Sequence, residues 1–324
     1  MITKPTLFIL GAGASIPYGF PSGWELRNKI CEAAQGIDAP IVLSLNTAIG
    51  VPCEDIIDFA RRFKQSRLIS IDTFLSKRPE YSRIGKTLIA YQLIPKELDY
   101  NFDNLNTDDD WYCALWNALA SNARTVAELT ENKIKIFTFN YDRSLERYLH
   151  TAIMNTFNVS EGEALDGLKH FDIQHVYGSL GVFGISDDYS KNIRAYSGLF
   201  DRNSVNVAIE SLRVIPEARA EDSVFQKVQE AFVWADHVCF LGFGFDALNI
   251  QRLGFKGISQ SQNGVHVKMN KNIVTSSFGK TRSEMEIAHA ALFDSYNHFR
   301  TPVWDFAFEH RNLETLRNFA WLLT

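Results

Sequence analysis

Four short clusters in this chain bring together residue types that could hold a ligand or move a proton. The first is Gly11-Ala12-Gly13-Ala14-Ser15, directly after the apolar run Thr6–Leu10. Small residues there let backbone N–H groups approach a pyrophosphate, and a following helix adds its positive end. A tight turn with no ligand would use the same residues. Ile16 stands where a dinucleotide fingerprint has its third glycine, and no acidic residue marks a second strand end about 20 residues later. The second cluster is Thr138-Phe139-Asn140-Tyr141-Asp142. Asn140 and Asp142 either face the glycine loop from a neighbouring strand end, or close a turn and cap the next helix.

The third cluster is His175-Val176-Tyr177-Gly178-Ser179-Leu180-Gly181. Side chains alternate along a strand, so His175 and Tyr177 would share a face. With an ordinary pKa of about 6.5, His175 suits general-base work near neutrality, although one histidine at a strand end is more often structural. In the fourth, Leu241-Gly242-Phe243-Gly244-Phe245-Asp246 followed by Asn249, glycines again suit close approach of a ligand. Asp246 has a helix cap as its plain alternative.

Other chemistries are excluded by spacing. The remaining histidines, among them His150, His170, His237 and His289, form no HxxxH or HExxH pair, and no CxxC occurs among Cys31, Cys53, Cys113 and Cys239. No metal site is expected. Neither a GxSxG elbow nor a GxxxxGK[ST] loop is present, which argues against a serine hydrolase and a P-loop ATPase. Thirty-three basic residues against 38 acidic ones leave a net charge of -5, with no cationic footprint for nucleic acid. The chain is 46% hydrophobic and 13% aromatic, a globular composition. Leu7–Leu10 is too short for a signal-peptide core, and no uncharged apolar stretch approaches the roughly 18 residues of a membrane span. A cytoplasmic location in a reducing compartment is the expectation.

The clusters need strands to position them. Thr6–Leu10, Lys133–Phe139, Phe171–Tyr177 and His237–Leu241 each end in a glycine or small-polar turn, and Ser211–Ile215 is a fifth candidate. Helices are expected at Trp24–Ala34, with Ser22 and Glu25 as a capping box, and from Arg143 towards Ile153. This rhythm predicts an α/β fold, a Rossmann-like parallel sheet with ligands at the carboxyl ends of its strands. Residues 36–130 break the rhythm with helical patterns at Glu54–Lys64 and Trp111–Leu129, the latter announced by Thr107 and Asp108-Asp109-Asp110. They read as an inserted helical subdomain within a single domain, 1–324, and residues 256–324 as a C-terminal extension. That tail is aromatic from Phe299 through Trp304, Phe306 and Phe308 to Trp321, with a last helix at Leu313–Leu323.

Taken in order, the four clusters resemble the sirtuin-like (SIR2-like) superfamily. Gly11–Ser15 resembles its first glycine loop and Thr138–Asp142 its TQNID segment; Tyr177-Gly178 falls on its HG pair and Leu241–Gly244 on its GTS turn. Ser70-Ile71-Asp72-Thr73-Phe74-Leu75 and Pro17–Gly23 are similar to the zinc-free bacterial branch associated with antiphage defence. The resemblance covers about residues 6–255. Protein-deacylating members carry a four-cysteine zinc module that this chain lacks, so the resemblance implies a sirtuin-like fold and NAD+ as a hydrolysed substrate rather than peptide deacylation.

On that resemblance the glycine loop, Gly11, Ala12, Gly13, Ala14 and Ser15, would hold the pyrophosphate. Gly178, Gly242, Phe243, Gly244, Asp246 and Asn249 would complete the cofactor site, with Gly242 and Gly244 beside the adenosine half. Asn140 would orient the ribose hydroxyls or a water, and Asp142 would contact the nicotinamide amide or stabilise positive charge. His175 would be the general base. Tyr177, not histidine, stands at the family's catalytic register, so either His175 serves from two residues upstream or the histidine has been lost. The implied activity is NAD+ hydrolysis to nicotinamide and ADP-ribose by a gated effector. Gating would come from homo-oligomer formation or a separately encoded activating partner, since the chain ends soon after the sheet. A non-catalytic module that binds NAD, ADP-ribose or another nucleotide is the alternative.

Overall fold

The run Thr6–Leu10 forms the strand around which the rest is arranged (β1), and all five of its residues are buried. A strand apolar at every position, without alternation, needs cover on both faces, which is the situation of a parallel sheet between helical layers. The computed structural model describes residues 1–103, 105, 108–213, 223–259, 271–293, 303–305 and 309–324.

Between β1 and β2 (Ile134–Thr138) the chain runs through α1 (Gly23–Cys31), α2 (Pro40–Ile49), α3 (Cys53–Ser66), α4 (Ile71–Lys77), α5 (Ser82–Leu93), α6 (Tyr100–Asp103) and α7 (Trp111–Ala120). Ser22 caps α1 in the expected box with Glu25. In α3 the buried Ile56, Phe59, Ala60 and Phe63 follow the spacing of a single helical face. The helix expected over Trp111–Leu129 stops at Ala120. Ala120-Ser121-Asn122 leaves no apolar face to bury there, and the chain resumes as a short 3-10 turn at Val126–Glu131. Asp110 is the cap of α7, its carboxylate accepting from the Cys113 amide, while Thr107 lies outside the described residues.

After β2 come α8 (Ser144–Phe157), α9 (Glu161–Leu168) and β3 (Ile173–His175), then a separate two-stranded sheet, β4 (Val182–Gly184) with β5 (Ile193–Ala195). α10 (Arg202–Ser211) and α11 (Ser223–Trp234) lead to β6 (His237–Leu241). The chain continues through α12 (Ala247–Leu253), α13 (Phe255–Ser259), β7 (Asn272–Thr275), α14 (Arg282–Leu292), β8 (Val303–Asp305) and α15 (Asn312–Asn318). The main sheet has the order β3-β2-β1-β6-β7-β8 with every pairing parallel, a Rossmann-like α/β arrangement. The chain builds outward from β1 to β3, then crosses back to place β6 on the other flank of β1. That reversal lies at the carboxyl ends of β1 and β6, the place where open α/β sheets bind their ligands.

Four further expectations are corrected. The third strand is shorter than Phe171–Tyr177, because the chain turns at Gly178 with φ at +67°. Ser211 is the last residue of α10, not the start of a strand; the Leu212 amide still donates to Ala208, and Val214 and Ile215 lie outside the described residues. Residues 256–324 are more than an extension, since β7 and β8 of the main sheet lie within them. The last helix is split into α15 and a 3-10 turn at Ala320–Leu323, and Phe299, Phe306 and Phe308 lie outside the described residues. The apolar core passes without a break from the sheet into the helices of 36–130, through Tyr18, Trp111, Tyr112 and Leu145. Among the described residues no helix is long and apolar enough to cross a membrane.

Candidate functional site

Strand register brings the four clusters to one edge. Leu10 lies opposite Thr138 on one side and Leu241 on the other, and Thr138 lies opposite His175. The loops after β1, β2, β3 and β6 therefore leave the sheet at one level.

The glycine loop meets the β6 loop by direct backbone contact. The Gly11 amide donates to Leu241 and the Gly13 amide to Gly242, each at 3.0 Å. A Cβ on Gly11 or Gly13 would fall within 3 Å of the Gly242 carbonyl oxygen. Glycine is thus required here by the packing of two loops, whatever else binds. Ala14 and Ser15 turn their amides back onto Gly11 and Ala12. Two side chains hold the loop's carbonyls: Trp111 Nε1 donates to Ala14 at 2.8 Å and Asn312 Nδ2 to Gly13 at 3.1 Å. With so many amides turned inward, the loop offers a ligand a smooth close surface more than a ring of donors. Gly244, by contrast, faces open space.

Asn140 and Asp142 both point into the region beside Ser15. Asn140 Nδ2 donates to Ser15 Oγ at 2.9 Å, and the Asn140 side chain is buried with its Oδ1 unpartnered among the described residues. Asp142 accepts from the Ser144 amide at 3.1 Å and from the Ser144 hydroxyl, at the first residue of α8. Tyr112 extends the chain, its hydroxyl 2.8 Å from Ser144 Oγ. Because that Ser144 proton goes to Asp142, Tyr112 is the donor in this pair. Burial raises the Asp142 carboxyl above its ordinary range, against the opposing hydrogen bonds from Ser144 and Ser15. The cap expected of Asp142 is thus displaced by one residue: Arg143 is the N-cap of α8, and Asp142 holds the first helical amide from a buried position just before it.

His175 has both ring nitrogens engaged. Nδ1 lies 2.8 Å from the Asn140 carbonyl oxygen and must donate to it. Nε2 lies 2.5 Å from Glu146 Oε1. Burial pulls the imidazole pKa down, but the charge and hydrogen bond of Glu146 and the bond to Asn140 outweigh it, and the net shift is upward. In this arrangement the ring is a clamp on the Asn140 backbone, and it becomes a base only when the Glu146 bond opens.

Tyr177 lies past the end of β3, buried, with its hydroxyl donating to Asn249 Oδ1 at 2.6 Å. The Arg252 guanidinium stands over its ring, 5.8 Å from the centroid. Asp246 caps α12 through the Leu248 amide at 3.0 Å. Phe243 packs edge-on against Phe139 at 5.0 Å, and Phe139 in turn against Tyr177 at 5.5 Å. Gly178 is pressed against α10's end, where a Cβ would lie 2.0 Å from the Ser211 carbonyl oxygen. The structure thus gathers Ser15, Asn140, Asp142 and His175 on one side of this sheet edge. Tyr177, Asn249 and Asp246 stand on the other, towards α12.

Sequence reasoning passed over several residues of this neighbourhood. Glu146 lies on an expected helix, but its partner His175 is far away in the chain and no helical spacing links the two. Glu97, Arg143 and Arg194 likewise come from three separate segments, and they form a fully buried ion network. Glu97 accepts from Arg143 Nε at 2.8 Å and Nη2 at 2.6 Å, and from Arg194 Nη2. The two guanidiniums also donate to the carbonyls of Leu180, Arg194, Ala195 and Ser197. The network fastens the β4–β5 region to the residue directly after Asp142. Among the described residues no group of acidic, cysteine and histidine side chains could hold a metal ion. No protein-family model and no curated protein matches this chain.

Proposed function

We propose that the chain is an NAD+ hydrolase with a sirtuin-like site at the carboxyl ends of β1, β2 and β6, releasing nicotinamide and ADP-ribose. The observation that carries this reading is Asn140: a buried carboxamide just after β2, one strand from the strand-order reversal, with one end held by Ser15 of the β1 loop and its oxygen left unpartnered. A buried acceptor without a partner costs about 1–3 kcal/mol, and a ligand hydroxyl at that oxygen would recover it. In the reaction the ribose–nicotinamide bond breaks with its electron pair going to the pyridinium nitrogen, so nicotinamide leaves neutral. Water adds at the ribose carbon and gives up a proton. Asn140 orients the ribose hydroxyls or that water, and Asp142 faces the developing positive charge or the nicotinamide amide. His175 takes the proton once Glu146 lets go of Nε2.

On this reading the glycine loop faces the pyrophosphate and the β6 loop, Gly242 to Asp246 with Asn249, the adenosine half. The proposal extends to a gated effector that depletes NAD+ in antiphage defence, as a homo-oligomer or with a separately encoded partner. Incubating NAD+ with the purified chain, beside Asn140→Ala, tests the core of it by mass spectrometry. Nicotinamide from the wild type alone supports the hydrolase. Tight calorimetric binding of NAD+ without release supports a binding module, and no binding of any kind removes both. The second reading has an observation of its own: His175 and Tyr177 both have their polar atoms engaged within the protein.

A further inference from the structure

The segment Ile71–Lys77 (α4) belongs to the helices between β1 and β2, yet it sends one carboxyl group to the sheet edge. Asp72 accepts the hydroxyl proton of Tyr141, the residue between Asn140 and Asp142. Tyr141 is itself buried, so its phenol is an anchor set into the protein rather than a surface contact. We propose that Asp72 is a positioning residue of the site, an acceptor delivered by α4 that fixes Tyr141 and, through it, the side chains of Asn140 and Asp142. The proposal rests on the site reading above, because it matters to function only if that site binds a ligand.

The electrostatic setting argues that Asp72 serves something other than stability. Burial raises its carboxyl to about 6, and the nearby Asp246 charge adds to the rise. Tyr141's hydrogen bond and the Arg252 charge oppose it. Tyr177 also faces it and feels the Asp72 charge as a further upward push on its phenol. A carboxyl whose folded-state pKa is raised stabilises the fold fully below its unfolded value of about 3.9 and loses that contribution as pH rises through about 6. At neutral pH the ionised Asp72 therefore burdens the fold. The ionised form is also the one that grips a phenol hardest, since a charged acceptor makes a hydrogen bond roughly twice as strong as a neutral one. The carboxylate thus favours order at Tyr141 at the expense of overall stability.

Asp72→Asn keeps the shape and an acceptor oxygen while removing the charge, and Tyr141→Phe removes the donor. The test measures thermal stability from pH 4 to 8, hydrogen exchange of the peptide over residues 138–144 without ligand, and NAD+ turnover against pH. Asp72→Asn should match the wild type in Tm near pH 4 and exceed it by a widening margin up to about pH 6. Its 138–144 peptide should nonetheless exchange faster at pH 7.5, about tenfold or more, with Tyr141→Phe giving a similar, non-additive effect. In turnover, the wild type should gain activity through about pH 6, Asp72→Asn should lose that step, and Tyr141→Phe should move it upward. Unchanged exchange in both variants, or a lower Tm for Asp72→Asn at neutral pH, overturns the proposal. If the exchange results hold while NAD+ is untouched, the positioning role stands and the hydrolase reading falls. If NAD+ is hydrolysed with an unaltered pH profile in Asp72→Asn, the reverse is true.

Discussion

Glu146 Oε1 and His175 Nε2 stand 2.5 Å apart, and the opposite nitrogen of the same ring donates to the Asn140 carbonyl. The pair ties the start of α8 to the end of β3 and sets the backbone from which the Asn140 side chain projects. Its strength depends on protonation. The His175 pKa is raised in the folded state, so the pair's contribution is fully present below about 6.5 and is lost as pH rises through the folded value. Glu146→Gln removes the partner charge that lifts it. Imidazole resonances followed by NMR should show the His175 midpoint falling in Glu146→Gln, and the stability difference between variant and wild type should shrink above that range. A midpoint that does not move would mean the ring is held by Asn140 alone.

Asn140 makes a separate prediction, because its two ends have different partners. Asn140→Ala breaks one hydrogen bond to Ser15 but also removes a buried acceptor that has none. These effects oppose one another, so the stability change should stay within about 1 kcal/mol. Turnover should fall about 10²–10³-fold if the oxygen orients the reacting groups. Denaturant unfolding beside an NAD+ assay separates the two readouts. A large stability loss would make Asn140 a turn-closing residue, the plainer of its two readings.

The buried network of Glu97, Arg143 and Arg194 should be the most sensitive polar element of the fold. Glu97 and Arg143 have no exposed side-chain surface, and Arg194 has 1%. Glu97→Ala leaves two buried guanidiniums without their carboxylate, which should cost about 3–5 kcal/mol. The control lies on the same helix as Arg143's neighbours: Arg147 pairs with a well-exposed Asp99, and Asp99→Ala should cost at most about 1 kcal/mol. Urea midpoints of the two variants measure the contrast.

What could be read from the residues follows from how local each feature is. β1 and β6 were legible with their bounds, because a run of apolar residues ending at glycine is a signal contained in five or six positions. Asp246 was legible as a cap for the same reason, whereas Asp142 stands one residue ahead of the α8 N-cap. β7 and β8 were not, since Asn272–Thr275 and Val303–Asp305 are short and carry no glycine turn of their own. Their strand character is supplied by the neighbours they pair with. The engagement of His175 by Glu146 and of Tyr141 by Asp72 is tertiary, and no spacing rule places residues 29 or 69 positions apart against each other. The glycine loop was legible as a tight structure but not in its cause, which is the second loop packed upon it.

That cause yields the sharpest structural test, at Gly242 against Gly244. Gly242 has φ of +59°, and a Cβ there would lie 2.0 Å from the Ala14 amide nitrogen and 2.2 Å from the Gly13 carbonyl carbon. These are backbone atoms of the glycine loop, held in turn by Trp111 and Asn312, so they have little room to yield. Gly242→Ala combines a left-handed backbone with a clash and should destabilise by about 3 kcal/mol or more. Gly244, two residues on, has nothing within 4 Å of its Cβ position and an ordinary φ. Gly244→Ala should therefore change stability by no more than about 0.5 kcal/mol. If ligand passes over this loop, the same alanine should still weaken NAD+ binding, because its methyl group would project into the free space beside Gly244. Equal stability losses at both positions would mean that the two loops are not packed as described.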